Sequence, residues 1–156
     1  GRMEKIVSNV DKHYVAVKLS ATNHENVLDE MASTLFCEGY VTDGFRDAII
    51  EREKNFPTGL PTGDINVAIP HASPEFVKEP AICLGVLDQP VEFEVMGMEG
   101  EKVQVSVLFM LAIKKKEEQL GLLQKLIATC QNQEILSVLK TGDAEKIDEV
   151  LGDLIS

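Results

Sequence analysis

No run of apolar residues in this chain approaches the roughly 20 needed to cross a bilayer. The longest, Val103–Ile113, is broken by Gln104 and Ser106, so membrane insertion is not expected. The opening GRMEKIV lacks the apolar centre of a secretory signal, and Gly1-Arg2 ahead of Met3 reads as an expression remnant. Cysteine is scarce and odd in number. Cys37, Cys83 and Cys130 lie in apolar patterns with no CxxC spacing, which argues against a disulfide framework or a zinc ribbon. Reduced thiols in the core of a cytoplasmic protein are expected instead. Cations are scarce as well: 15 Lys and Arg face 26 Asp and Glu, for a net charge of -11. A surface of that sign repels phosphate backbones, and the one basic run, Lys114–Lys116, is answered at once by Glu117 and Glu118. Nucleic acid is therefore not an expected partner; protein partners are.

The motifs of cofactor chemistry are missing too. His13, His24 and His71 share no ligand spacing, and there is no HExxH or Cys/His cluster, so no metal site is expected. The glycines of TGLPTGD (Thr58–Asp64) are not followed by GK[ST], and GMEGEK (Gly97–Lys102) is too short to cradle a nucleotide phosphate ahead of a helix. No GxSxG elbow occurs. The expectation is a protein without metal, nucleotide or other cofactor.

What is present is the pattern of one domain over residues 1–156, with 44% hydrophobic and 26% charged residues. KHYVAVKL (Lys12–Leu19) alternates as a strand. A helix is expected from a Thr22/Glu25 capping box, through a stripe of Val27, Leu28, Met31, Leu35 and Phe36, to a stop at Gly39. A second helix starts with Thr42 as N-cap and carries Phe45, Ala48, Ile49 and Arg52 on one face, so the last member of an apolar face is an arginine. Pro57 ends it. INVAIP, AICLGVL, VEFEV and VQVSVLFMLAI read as strands rich in β-branched residues. Three helices close the chain: EEQLGLLQKLIATC with Leu120, Leu123, Ile127 and Cys130 inward, then NQEILSVLK and AEKIDEVLGDLI. There is no internal repeat or low-complexity tract. Helices before and after the strands imply an α/β fold, a mixed sheet sandwiched between helices on both faces.

One position stands out. In NVAIPHASPEFV (Asn66–Val77) an apolar run stops on Pro70 and His71 follows. A residue just past a strand's carboxyl end lies where open α/β sheets place ligands. Imidazole attacks electrophilic phosphorus at neutral pH, and the phosphoimidazole formed is itself a donor, so a lone histidine can relay phosphate without a cofactor. Such a relay needs a cation on the transferred oxygens. Arg52 is the candidate. The alternatives at this point are a polar residue ending a strand for His71 and a surface arginine paired with Glu51 or Glu53 for Arg52.

REKNFPTGL at Arg52–Leu60, AIPHAS at Ala68–Ser73 and LLQKL at Leu122–Leu126 together resemble the fructose/mannitol-type enzyme IIA domains of the bacterial phosphoenolpyruvate:sugar phosphotransferase system. The resemblance spans nearly the whole chain. It implies a mannitol-type enzyme IIA fold and a cytoplasmic phosphotransferase component. In it, His71 takes phosphate from HPr and passes it to a cysteine of enzyme IIB, which serves the membrane component IIC. The family's active-site arginine matches Arg52. A second active-site histidine usual in the family is replaced by Gln119, which can donate a hydrogen bond to a phosphate oxygen but carries no charge. That glutamine, with NFPTGL, is similar to the galactitol-specific subgroup, so galactitol or a related polyol is the expected sugar. None of the three cysteines lies in a small, hydroxyl-rich loop of the IIB kind. Thr62 or Ser73 is expected to orient the imidazole. Pro70, Ala72, Phe76 and Leu60 are expected to form an apolar docking rim, with Phe76 equally placed to be core. Two alternatives are a nitrogen-type regulatory phosphotransfer protein and a non-catalytic binding module of the same fold.

Overall fold

The computed structural model describes residues 3–155, with the side chains of residues 116, 118 and 119 outside the description. Chain order runs β1 (Met3–Asn9), β2 (Tyr14–Leu19), α1 (His24–Cys37), α2 (Phe45–Asn55), β3 (Gly59–Leu60), β4 (Asn66–Ala68), β5 (Ala81–Glu94), β6 (Lys102–Ala112), α3 (Lys116–Cys130), α4 (Gln133–Lys140) and α5 (Ala144–Ile155). A single 3₁₀ turn, Pro74–Phe76, lies between β4 and β5. The six strands form one sheet in the order β1-β2-β5-β6-β4-β3. Pairs β2/β5 and β6/β4 are parallel and the rest antiparallel, so the sheet is mixed.

Alternation along β2 explains the two layers. Val15, Val17 and Leu19 face α1 and α2 in one core, with Leu28, Met31, Phe45 and Ile49. Tyr14 and Ala16 face the other core, with Leu126, Leu136, Ile147 and Leu151 of α3 to α5. Because both faces are covered, β2 and β6 read as near-continuous apolar runs rather than clean alternations. Each fully buried Leu, Ile or Phe in these layers contributes roughly 1.5–3 kcal/mol of transfer free energy. The expected sandwich with helices on both faces is the observed fold.

Several local expectations are corrected. β1 was not anticipated: it is an edge strand with a register irregularity between Lys5 and Val7, which breaks the period-2 pattern. The N-cap of α1 is Asn23 rather than Thr22; its side chain accepts from the Asn26 N–H at 2.9 Å. Gly44, not Thr42, sits at the N-cap of α2, while the Thr42 carbonyl accepts from the Phe45 N–H at 3.1 Å. Phe36 is 49% exposed and Leu120 61% exposed, so neither joins the core. Cys37 is exposed where a core thiol was expected. The segments AICLGVL and VEFEV form one strand, β5, with an irregularity between Val86 and Val91. Gly39 does end α1, at φ +87°, with the Tyr40 N–H bonded back to the Leu35 carbonyl at 3.0 Å.

Candidate functional site

β4 and the chain just after it carry the histidine. β4 runs parallel to β6, and pairing continues past its end: the Leu111 N–H donates to the Pro70 carbonyl at 2.9 Å and His71 bridges to Leu111. His71 therefore sits at the carboxyl end of a parallel pair on fixed backbone, as its sequence position anticipated. On the other flank, β3 pairs with β4 through Gly59 opposite Ala68 and Leu60 opposite Val67. Gly59 is required there, because a Cβ would lie 2.5 Å from the Glu94 carbonyl oxygen.

The ring's own bond decides its chemistry. His71 Nδ1 is 2.9 Å from the Ile69 carbonyl oxygen, which can only accept, so Nδ1 carries the proton. In the neutral ring Nε2 then holds the free lone pair. The pKa of His71 is lowered, first by burial and then by the Arg52 charge, against the opposing Ile69 bond. Burial thus favours the neutral ring, the form in which Nε2 has a lone pair to offer.

Arg52 reaches the same place from α2. His71, Arg52, Ala72, Ser73, Pro74, Leu120 and Leu123 line one open cleft of about 500 Å³. Arg52 makes no ion pair with any described residue, so the alternative pairing with Glu51 or Glu53 is not formed. Its Nε is buried without a hydrogen-bond partner. Its guanidinium carbon lies 4.8 Å from the centroid of the Phe56 ring, which is 60% exposed. A half-buried cation with an unsatisfied donor, sharing a cleft with an imidazole lone pair, is suited to hold an oxyanion at the point of attack.

The other expected residues divide. Ser73 lines the cleft, but Thr62 is used elsewhere: its hydroxyl donates to the Ile65 carbonyl at 2.7 Å and its N–H to Asn66 Oδ1 at 2.9 Å. Orientation of the imidazole comes from the Ile69 carbonyl instead. Of the expected rim, only Ala72 lines the cleft; Pro70 is buried, and Leu60 and Phe76 pack against the two cores. Leu120, Leu123 and Pro74 supply the apolar wall in their place. Leu120 falls on the helical stripe and yet faces outward, a difference that periodicity does not carry. Gln119 lies in the first turn of α3, and its side chain is outside the described residues. Cys83 and Cys130 are buried, which pushes the Cys130 thiol up to about 12 and raises that of Cys83 as well. Neither is a nucleophile. Among the described residues no group of three or more His, Cys, Asp or Glu side chains could hold a metal ion, and no helix is long and apolar enough to cross a membrane.

The sequence matches the family model described as phosphoenolpyruvate-dependent sugar phosphotransferase system, EIIA 2, over residues 8–153. The chain belongs to that family. It is accordingly a phosphotransferase component, one that transfers phosphate. The galactitol-specific EIIA component of Escherichia coli K12 is 30% identical over 136 residues, covering 87% of this chain and 90% of that protein. The transcriptional regulator ManR of Bacillus subtilis is 31% identical over 114 residues, covering 73% of this chain but only 16% of the regulator. The fructose-specific EIIABC component of the same organism is 30% identical over 145 residues, covering 90% of this chain and 22% of that protein. This EIIA chain thus spans a small part of two relatives and nearly all of the third. Among solved structures, the IIA mannitol protein of Escherichia coli superposes with a TM-score of 0.72 at 19% identity, covering 93% of this chain and 99% of that one. The fold is that of mannitol-type EIIA domains.

Proposed function

We propose that this EIIA chain is a phosphoryl relay in which His71 Nε2 accepts phosphate from phospho-HPr. It then passes that phosphate to the cysteine of a cognate enzyme IIB, for uptake of galactitol or a related polyol through IIC. The observation that carries the reading is the Nδ1–Ile69 bond, which leaves Nε2 bare in the cleft lined by Arg52. In the first step the Nε2 lone pair forms a bond to phosphorus while the donor's P–N bond breaks and its electron pair returns to the donor ring. The proton on His71 Nδ1 stays where it is, so the product is a protonated phosphoimidazole stabilised by the Ile69 carbonyl. In the second step a IIB thiolate attacks phosphorus and Nε2 leaves as neutral imidazole. Arg52 offsets the charge on the phosphoryl oxygens through both steps.

A structure of the mannitol IIA of Escherichia coli in complex with phosphorylated IIB has the same fold, with a TM-score of 0.70 at 18% identity, which supports a IIB as receiver. Galactitol is supported by the EIIA component noted above, although the fructose-specific relative matches at the same 30%. HPr as donor and a cytoplasmic location are part of this reading, supported by membership of the family. Against a binding module without chemistry stands an imidazole sharing a cleft with a guanidinium that has no ion-pair partner among the described residues. A regulatory protein would share the first step and differ only in the partner that reads the phosphate.

Incubation with phosphoenolpyruvate, enzyme I and HPr, followed by mass spectrometry, tests the reading. One acid-labile phosphate on His71, transferred onward to a IIB cysteine, is expected. An unlabelled His71 overturns the relay, and a label that no IIB removes overturns its transport role.

A further inference from the structure

Glu53 is the residue after Arg52, and it points the other way, into the protein. It is 6% exposed and makes no ion pair with any described residue. Both of its oxygens are used on one residue: Oε2 accepts from the Thr58 N–H at 2.8 Å, and Oε1 bonds the Thr58 hydroxyl at 2.9 Å. Thr58 is itself buried and leads into β3. Its carbonyl accepts from the Ile69 N–H at 3.3 Å, extending the β3/β4 ladder by one rung. The carbonyl of Ile69 is the group that accepts the His71 Nδ1 proton. An unbroken path of hydrogen bonds therefore runs from Glu53 through Thr58 and Ile69 to the imidazole.

We propose that Glu53 is a positioning residue for phosphoryl transfer: by clamping Thr58 it sets the Ile69 peptide, and through it the Nδ1–H tautomer that leaves His71 Nε2 nucleophilic. The tautomer is what needs holding. A histidine ring free in water favours the proton on Nε2, the nitrogen that must be bare here. Only an acceptor fixed beside Nδ1 reverses that preference. The Ile69 peptide stays fixed on one edge because β6 holds Pro70 and His71. The other edge depends on Thr58, and Thr58 depends on Glu53. α2 thus supplies the phosphate-binding cation from one residue and the anchor of the histidine strand from the next.

The clamp works in either protonation state. As a carboxylate, Glu53 accepts from both Thr58 donors; as an acid, it accepts from the N–H and gives its proton to the hydroxyl oxygen. The burial that raises its pKa to about 7 therefore leaves the clamp closed. A glutamine has the same two faces, one acceptor and one donor. A leucine has neither.

This inference rests on the relay reading for its rate arm but not for its tautomer arm. The experiment compares the native protein with Glu53→Gln, Glu53→Leu and Thr58→Val. It measures His71 ring ¹⁵N shifts above the ring's pKa and the rate of labelling by the phosphoenolpyruvate, enzyme I and HPr mixture. Native protein and Glu53→Gln are expected to hold the Nδ1–H tautomer and label at similar rates. Glu53→Leu is expected to shift toward Nε2–H and label about tenfold more slowly. Thr58→Val, which keeps the backbone N–H and loses only the hydroxyl, is expected to fall between them, and it decides the matter if Glu53→Leu does not fold. A folded Glu53→Leu, or failing that Thr58→Val, with the native tautomer and rate overturns the proposal, as does a Glu53→Gln that loses the tautomer. If the native protein takes no label while the tautomer shifts as described, the relay fails and the positioning role stands.

Discussion

His71 gives its Nδ1 proton to the carbonyl of Ile69, two residues back in its own chain, at 2.9 Å. Pro70, between them, fixes the backbone φ at the turn from one residue to the other. The bond is local in sequence but needs β6 and β3 on either side to keep the peptide still. The ring's tautomer is in this way set by a backbone acceptor that sheet pairing helps to hold in place.

Replacing Arg52 by Ala is expected to slow labelling of His71 by on the order of 100-fold, because one preorganised donor set on a developing oxyanion is removed. The folded structure should persist, since Arg52 makes no ion pair among the described residues and its ring contact is with the exposed Phe56. Labelling kinetics together with thermal melting checks both halves. A native rate in the alanine variant would remove Arg52 from the mechanism.

The His71 ring should titrate with a midpoint below the ordinary 6.5, since burial outweighs the Ile69 bond. The Arg52 charge pushes the same way, so Arg52→Ala should move the midpoint up. NMR titration of the ring resonances reads both. A downward or absent shift in the variant would mean that the guanidinium does not sense the ring.

Glu53 makes stability fall as pH rises. Burial raises its folded pKa from 4.5 to about 7, helped by Glu94 and opposed by Thr58 and Arg52. The folded state therefore binds the proton more tightly than the unfolded chain. Its contribution is fully present below pH 4.5 and is lost as pH climbs through about 7. Relative to Glu53→Gln, which does not titrate there, the native protein should lose on the order of 3 kcal/mol of unfolding free energy across that window. Denaturant melts at several pH values measure it. A gap that is flat with pH would mean the carboxyl does not titrate in the fold.

Leu120 is 61% exposed beside the histidine, a position suited to partner contact. Leu120→Asp should weaken docking of HPr or IIB about tenfold, seen as a raised KM for the partner with kcat little changed. Melting temperature should be near native because no core contact is lost. Unchanged KM for both partners would place the docking surface elsewhere.

Much of this was readable in the chain. Apolar runs buried on both faces marked the central strands, and helices on either side of them implied a covered sheet. His71 after Pro70 and an arginine closing an apolar helix face stood out as two candidate residues in the local pattern, and the structure brings both to one cleft. Local signals failed where exposure depends on what packs alongside. Leu120 and Phe36 fit helical stripes yet face outward, and the irregular edge strand β1 has no period to detect.

The amino-acid order by itself determined the family and the layered architecture and named the candidate residues of the cleft, because periodicity and short motifs are properties of neighbours along the chain. Only the tertiary structure decided which imidazole nitrogen meets the Ile69 carbonyl, that Arg52 has no acidic partner among the described residues, and that Glu53 turns inward to Thr58. The bonds themselves are short in sequence, but the backbone that carries them is held by pairing with β6, which lies far along the chain. Distance in space, unlike pattern, is not written in any single segment.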